Sequence, residues 1–447
     1  MKKVITYGTY DLFHEGHKRL LERARKLGDY LIVGVTTEAY DEVRGKLNVK
    51  QSLMERVAQV QASGLADEVI IEEYEGQKIN DIQKHNVDIF AIGSDWLGKF
   101  DYLNDYCNVI YLDRTKGVSS TELRNAEGVL NIGIVGTGRI AKRFVSEARF
   151  VSGVEIIGAY SRNSDNVNNF VNEFELALSA NNYNELLDSV DAIYIATPHN
   201  THKEYALEAL NKGKHVLCEK PMALTEACVE ELQSAAINNN VVLLEGIKTA
   251  FSPGFNRLIA YAKSGVIGKI LAVDATFTKL TDGNPRELQK EQGGGSFFEL
   301  GSYPLLAILK LLGKDYSEIR SVQYFPDNAE VELYSRVEIL YPNAIGSART
   351  GLGVKSEGDL VISGTKGYIY VPAPWWKTEY FEVRFENSNE NRKFFYKFDG
   401  DGLRYELANF VNMIRAKRMQ TYQLSFDETR WIAKVIEQSQ SNMHVIK

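Results

Sequence analysis

Short apolar runs alternate with amphipathic stretches from the first residues onward. Lys3–Tyr7 reads as a strand and ends in the turn Gly8-Thr9-Tyr10-Asp11, after which His17, Leu20, Leu21 and Ala24 recur at helical spacing over Gly16–Leu27. Tyr30–Val35, Glu68–Ile71, Ile89–Ile92 and Val109–Leu112 repeat the strand pattern, with a helix predicted around Lys78–His85. Strands separated by helices predict a parallel sheet with helices on both faces. The same alternation restarts at Ile132–Val135, followed by a helix over Ile140–Ala148 and strands at Val154–Tyr160, Ala192–Thr197 and His215–Cys218. From about Gly246 the period changes to two: Ile270–Lys279, Val331–Leu340, Ala344–Thr350 and Tyr380–Phe385 alternate, and Gly364–Val371 reads as a hairpin turn leading into a strand. Amphipathic helices follow at Leu403–Arg415 and Asp427–Gln438. The pattern predicts an α/β protein in three parts. Residues 1–125 and 131–247 form two Rossmann-like parallel units, and residues 248–447 form an α+β domain with an open, mainly antiparallel sheet. The last helix is expected to return to the second unit.

Composition narrows the classes. With 44% hydrophobic and 25% charged residues, the 447-residue chain has the make-up of a soluble globular protein of several domains. A net charge of −7 argues against nucleic acid as the main ligand, since phosphate backbones select basic faces. Cys107, Cys218 and Cys228 show neither a disulfide framework nor metal-ligand spacing. The N-terminal MKKVITYGTYD breaks too early for a signal sequence, and no apolar run approaches the ~20 residues of a membrane span. A cytoplasmic protein without membrane insertion is expected.

The first candidate chemistry lies where the first strand meets its helix. His14-Glu15-Gly16-His17 places two imidazoles at a helix N-terminus, where unsatisfied N–H groups and the macrodipole favour anions. Gly16 lets a phosphate approach, and the imidazoles can donate to charge developing on an α-phosphate. YGTYDLFHEGH, GSDWLGKF (Gly93–Phe100) and RTKGVSST (Arg114–Thr121) together resemble the three signature stretches of the cytidylyltransferase superfamily, and within it the glycerol-3-phosphate cytidylyltransferases. The resemblance covers about the first 125 residues. It implies transfer of a cytidylyl group from CTP to a small polyol phosphate, giving a CDP-alditol and pyrophosphate. It also implies roles. His14 and His17 steady the transition state, and Lys46 and Arg114 neutralise phosphate charge. Thr9, Tyr10, Thr115, Ser119, Ser120 and Thr121 line the nucleotide phosphates, Asp95 and Trp96 the nucleotide or acceptor pocket, and Arg56 contacts the acceptor phosphate. Ser120 stands where relatives carry Thr, which keeps the hydroxyl. Mg²⁺ is the expected companion of CTP and needs few protein ligands. An adenylyltransferase is the alternative, since HxGH and SST occur there too; the Trp96 stretch favours CTP.

The second candidate opens after a short, non-repetitive junction. Gly136-Thr137-Gly138-Arg139-Ile140-Ala141 follows a strand and opens a helix, fitting GxGxxA: a tight turn, a close approach for a pyrophosphate, and a small residue for helix–strand packing. The next strand ends in Ser161-Arg162 rather than an acidic residue, which suits the 2′-phosphate of NADP better than the free ribose of NAD. With TPHNTH (Thr197–His202) and Glu219-Lys220-Pro221 added, residues 131–447 resemble the family of glucose–fructose and inositol dehydrogenases. That resemblance makes Lys220 a catalytic lysine beside an unusual Pro221 turn. Thr197, Pro198, His202 and Glu219 join Gly136, Gly138, Arg139, Ile140, Ser161 and Arg162 around the cofactor. His199 and His202, without a nearby carboxylate, are not expected to hold a metal. In GGGSFFELGSYP (Gly293–Pro304), Tyr303 is the expected proton donor or acceptor, its pKa lowered by Lys220, while Glu299 stands where relatives carry Asp. Lys248 is a candidate for a substrate phosphate. The whole predicts a bifunctional enzyme, a dimer or tetramer, serving surface-polymer precursor synthesis. The alternative for the second part is a non-catalytic cofactor-binding regulator.

Overall fold

A computed structural model describes residues 1–113, 129–281, 285–441 and 443–447. The chain divides into two compact units, residues 1–193 and 194–447.

The first unit begins with a five-stranded sheet in the order β3-β2-β1-β4-β5, built from β1 (Lys3–Gly8), β2 (Tyr30–Thr36), β3 (Glu68–Glu72), β4 (Ile89–Gly93) and β5 (Asn108–Leu112). Every pairing is parallel. Alternation within the strands sorts the core onto two faces. Val4, Leu31, Val33 and Ala91 pack with Leu21 and Ala24 of α1 (Glu15–Arg25) and Val60 of α3 (Leu53–Ala62). Ile5, Ile32, Phe90 and Ile92 pack with Ile82 of α4 (Gln77–His85). Between β2 and α3 lies α2 (Glu38–Val43), whose N-cap Thr37 accepts from Tyr40 N. Crossover helices of this kind force the parallel order and leave the C-terminal strand ends open for a ligand.

A second parallel unit follows. β6 (Leu130–Val135), β7 (Val154–Tyr160) and β8 (Leu178–Ser179) pair in that order, separated by α5 (Arg139–Ala148) and α6 (Ser164–Glu173). After α7 (Tyr183–Ser189), strand β9 (Ala192–Ile195) runs across the division between the units.

In the second unit, α8 (His202–Asn211), β10 (His215–Glu219), α9 (Glu226–Asn238) and β11 (Leu243–Gly246) continue the βα alternation, with β10 and β11 parallel. Beyond α10 (Pro253–Lys263) comes a nine-stranded sheet. Its strands are β12 (Ile270–Lys279), β13 (Glu318–Tyr324), β14 (Tyr334–Tyr341), β15 (Ala344–Leu352), β16 (Leu360–Gly364), β17 (Tyr368–Val371), β18 (Tyr380–Arg384), β19 (Arg392–Phe395) and β20 (Met443–Ile446). They lie in the order β19-β18-β17-β16-β12-β15-β14-β13-β20. Only β12–β15 and β13–β20 are parallel pairs. One face is covered by α11 (Ser296–Leu300) and the apolar α12 (Ser302–Leu312), whose Ile308 sits against Gly346 of β15. The strand expected from Val331 begins only at Tyr334. Glu332 is buried and spends its groups on α11, its carboxylate accepting from Phe297 N at 2.7 Å and its carbonyl from Ser296 N at 3.0 Å. After α13 (Leu403–Arg415), α14 (Phe426–Ser441) lies along α9 through Lys434–Glu226 and Arg430–Glu230 ion pairs and a Gln233 bond to the Phe426 carbonyl.

Candidate active sites

The turn after β1 leads into α1, and His14 is that helix's N-cap. Its Nδ1 accepts from Gly16 N at 3.1 Å, while His17 Nδ1 accepts from His14 N at 3.4 Å. A capping box made by two imidazoles needs a lone pair on each Nδ1, which puts the ring protons on Nε2. The two rings lie 3.9 Å apart, centroid to centroid. Burial, helped by the neighbouring His14 and Lys46, holds the His17 pKa well below 6.5, so it is a neutral donor at pH 7. The result is a pair of imidazole donors at a positive helix end, suited to a phosphate that gains charge as it reacts.

Asp41, buried on α2, organises the phosphate turn. It accepts from Thr9 Oγ1 at 2.9 Å, Thr36 Oγ1 at 2.8 Å and Arg44 Nη2 at 2.7 Å. Asp11 accepts from Lys50 N and Gln51 N and fixes the far end of the loop that carries Lys46. The Lys46 ammonium donates to the Arg149 carbonyl at 2.6 Å. Burial lowers its pKa to about 8, against the pull of Asp41 and Asp11.

Two of the expected site residues are buried beneath the turn. Arg56 is fully buried, and its guanidinium donates to the carbonyls of Thr9 and Thr36 at 2.8 Å each and of Gln51 at 3.1 Å. It braces the turn after β1 from beneath. Tyr10 is 1% exposed, with its ring edge-on to His17 at 5.4 Å. It supports the His17 ring from the core. Asp95 is exposed on the turn after β4, beside a half-buried Trp96. Arg114, Thr115, Ser119, Ser120 and Thr121 lie outside the described residues.

At the second glycine-rich turn, Gly136 has φ 96°, a left-handed conformation open to glycine. Gly138 is the N-cap of α5 without a side-chain cap, and a Cβ built there would meet no protein atom within 4 Å. Ala141 is fully buried. The turn therefore fits a pyrophosphate: a helix N-terminus without a side-chain cap, and space that the protein itself leaves open. A cleft of about 420 Å³ opens beside it, lined by Thr137, Gly138, Lys142, Asn166, Asn169 and Phe170. Arg139 is exposed at the first helical position and Ile140 half-buried; Ser161 and the exposed Arg162 follow the end of β7.

Within the second unit, the Lys220–Pro221 peptide is cis, and Lys220 Nζ donates to the Glu299 carbonyl at 2.8 Å. Glu219, expected at the cofactor, is buried. It accepts from Tyr194 Oη at 2.6 Å and from Lys220 N at 3.3 Å, so it braces the Lys220–Pro221 turn. His202 is clamped between the carbonyls of Pro221 and Thr197, both at 2.8 Å, tying the Thr197-Pro198 loop to that turn. Burial pushes its pKa to about 4, so the neutral ring donates to one of them at a time. His199 Nδ1 meets the Gly293 carbonyl at 3.0 Å. The Glu299 carboxylate is buried against Arg286 at 2.7 Å and His199 at 3.6 Å, so only its backbone faces Lys220.

The pKa expected of Tyr303 is overturned. Burial, with Glu219, Glu406 and Glu299 nearby, holds the phenol well above 10, so Tyr303 keeps its proton at neutral pH. Lys248 is half-buried, its pKa lowered by burial against Asp401, Glu406 and Glu219. Sequence patterns missed the aromatic wall beside Tyr303: Phe277 lies 5.3 Å from it and stacks on Trp376 at 3.6 Å. The Trp375-Trp376 pair after β17 was the available signal.

The family comparisons settle which proteins carry these turns. A cytidylyltransferase-like model matches residues 5–126, the model of the NAD-binding Rossmann domain of the GFO/IDH/MocA oxidoreductases matches 130–247, and that family's C-terminal domain model matches 255–370. The chain belongs to both families. The cytidylyltransferase is 54% identical to the glycerol-3-phosphate cytidylyltransferase of Bacillus spizizenii over 124 residues, 28% of this chain and 95% of that relative. The oxidoreductase is 26% identical to the NADP(+)-dependent scyllo-inositol 2-dehydrogenase of Bacillus subtilis, covering 71% of this chain and 98% of that protein. Among solved structures, a 3-ketoreductase from Actinomadura kijaniata in complex with NADP and TDP-benzene superimposes with TM-score 0.66 at 20% identity, over 71% of this chain and 99% of that one. Both parts are enzymes, a nucleotidyltransferase and an NAD(P)-dependent oxidoreductase. Among the described residues no group of three His, Cys, Asp or Glu could hold a metal, and no single helix is long and apolar enough to cross a membrane.

Proposed function

We propose that the two enzymes act in sequence on one small polyol. The oxidoreductase reduces a ketose or ketose phosphate, and the cytidylyltransferase activates the resulting polyol phosphate as a CDP-alditol for surface-polymer synthesis. In the transfer step, a phosphate oxygen of the acceptor attacks the α-phosphorus of CTP, and the bond to the bridging oxygen of the leaving pyrophosphate breaks. His14 and His17 donate from Nε2 to the α-phosphate, Lys46 neutralises phosphate charge, and Thr9 lies in the same turn, held by Asp41. Asp95 and Trp96 border the base or acceptor, and Arg114, Thr115 and Ser119–Thr121 complete the phosphate site. Mg²⁺ enters with CTP.

In the reduction, the cofactor is NADP(H), held by Gly136 and Gly138 at the pyrophosphate and by Ser161 and Arg162 at the 2′-phosphate. When bound it supplies the hydride. Lys220 orients the substrate oxygen, Tyr303 gives it a proton, and Lys248 takes a substrate phosphate. Phe277 and Trp376 offer an apolar face to the carbon skeleton. The likeness of the first 124 residues to glycerol-3-phosphate cytidylyltransferases supports a glycerol phosphate-like acceptor. We place the domains at 1–125, 131–247 and 248–447, in a cytoplasmic homo-oligomer.

The observation that carries this reading is the pair of histidines that cap α1 through their Nδ1 atoms and leave Nε2 to donate, in a chain that continues into a reductase with both Lys220 and Tyr303. The test supplies CTP, NADPH and a series of ketose phosphates together and follows NADPH loss, pyrophosphate release and CDP-alditol by chromatography. One substrate should give all three signals. If reduction is confined to unphosphorylated compounds that the transferase never uses, the sequential reading is wrong.

A further inference from the structure

The loop that carries Lys46 does not stand by itself. Leu47 N donates to the Phe150 carbonyl at 2.7 Å, Ser152 N donates to the Leu47 carbonyl at 2.9 Å, and Leu47 and Val151 form a parallel bridge. The Lys46 ammonium adds its 2.6 Å bond to the Arg149 carbonyl. The stretch Gly93–Phe100 meets the same corner. Arg149 Nη1 donates to the Asp95 carbonyl, the guanidinium lies 5.1 Å over the Trp96 ring, and Phe150 packs edge-on to Trp96 at 5.9 Å and 80°. Ser94 on that turn donates to the Glu175 carboxylate.

Arg149–Ser152 is the corner between α5 and β7 and belongs to the oxidoreductase. It therefore grips both loops that border the nucleotide site of the cytidylyltransferase. The B. spizizenii relative is matched over 95% of its length by 124 residues of this chain, so its own length leaves no room for such a corner.

We propose that the Arg149–Ser152 corner is a positioning element of the cytidylyltransferase: a piece of one enzyme that sets the substrate loops of the other. The proposal rests on Lys46 meeting the CTP phosphates and on the Asp95–Trp96 turn bordering the base or acceptor, as described above. An ammonium has three N–H donors. One taken by the Arg149 carbonyl aims the group and leaves two for phosphate oxygens. The flat guanidinium holds the Asp95–Trp96 turn by a hydrogen bond and a cation–π contact together, which a lysine cannot reproduce. Order built into two loops before CTP arrives is order the nucleotide need not impose, so its loss falls on nucleotide affinity.

The test uses the full chain with Arg149→Ala, Arg149→Lys and Arg149→Met, measuring pyrophosphate release from CTP with glycerol 3-phosphate as acceptor. NADPH affinity, read by its fluorescence, reports on the integrity of the oxidoreductase. Arg149→Ala should raise KM for CTP about tenfold, change kcat by less than about threefold and leave NADPH binding as it was. Arg149→Lys should recover part of the loss. Added to Lys46→Ala, the same change should add its full cost, because Lys46 bonds the Arg149 backbone carbonyl, which the substitution keeps, while the guanidinium acts on the Asp95–Trp96 turn. Unchanged CTP kinetics with intact NADPH binding would overturn the proposal. So would equal loss of CTP turnover and NADPH binding in Arg149→Met, which would mark a folding role. A wild-type chain that releases no pyrophosphate from CTP would instead sink the acceptor assignment, leaving the two failures distinguishable.

Discussion

A lysine in a protein keeps its proton at neutral pH unless the surroundings make the charge costly, and Lys46 is such a case. Its pKa stands at about 8, lowered from 10.5 chiefly by burial. The ammonium is complete below that value and is lost as pH rises through it. If it meets the triphosphate, kcat/KM for CTP should fall about tenfold per pH unit above pH 8, while kcat holds, because bound phosphate restores the proton. Fold stability moves the other way. With the folded pKa below the unfolded one, the unfolded chain binds the extra proton between about 8 and 10.5, and stability rises with pH across that window. Activity lost on the alkaline side is then not unfolding. Lys46→Arg, charged at every pH, should flatten the profile; a drop of the same shape in that variant would count against the assignment. Arg162 makes a second prediction at this scale. Exposed at the end of β7, it should matter only to a 2′-phosphate, so Arg162→Ala should lower kcat/KM for NADPH roughly tenfold and leave NADH unchanged.

The elements were legible where one rule governs them and illegible where buried polar groups decide. β7, β12 and α13 begin and end at the residues their apolar periodicity indicates. The strand expected from Val331 starts three residues late, and Glu332 caps α11 instead, through a buried carboxylate that no pattern of apolar residues reveals. The same blindness hid Asp41 and gave Arg56 the wrong surroundings: each reads as an ordinary charged helix residue, and each is buried for the sake of the phosphate turn. Histidines in HxGH could be assigned to a site, but their tautomer came only from the capping bonds. Motif glycines carry separable duties, which gives a test at the turn before α5. Gly138 has extended backbone and open space where a Cβ would go, so Gly138→Ala should fold within about 0.5 kcal/mol of the wild type. Its KM for NADPH should nevertheless rise tenfold or more, since the methyl occupies the approach of the pyrophosphate. Gly136→Ala, at φ 96°, should instead cost about 1 kcal/mol or more of stability, read from the urea midpoint. Equal effects of the two on stability would show that Gly138 is there for the fold and not for the cofactor.

For the whole chain, the question is what one polypeptide gains from holding two enzymes. The catalytic groups proposed for each are disjoint, so His14→Ala should abolish cytidylyl transfer with NADPH oxidation intact, and Lys220→Ala should do the reverse. That pair of variants makes a sharper experiment than either alone. Mixed in equal amounts, they supply every active group but never in one chain, so any polyol phosphate made by one must diffuse to the other. Linking two sites raises the effective concentration of an intermediate only while the path between them is shorter than escape into bulk solvent. If release is followed by free diffusion, the mixture should match the wild type in its lag before CDP-alditol appears, at equal concentrations of working sites. If the intermediate is retained, the wild type should show a shorter lag, and added unlabelled polyol phosphate should dilute label from the mixture's product far more than from the wild type's. Homo-oligomers would blunt the contrast by pairing a His14→Ala chain with a Lys220→Ala chain, and mixing the variants before or after assembly separates that case. Equal lags and equal dilution would mean that fusion fixes only the ratio of the two enzymes. Arg149–Ser152 would then join them through loop order and CTP affinity, with no transfer of substrate between their sites.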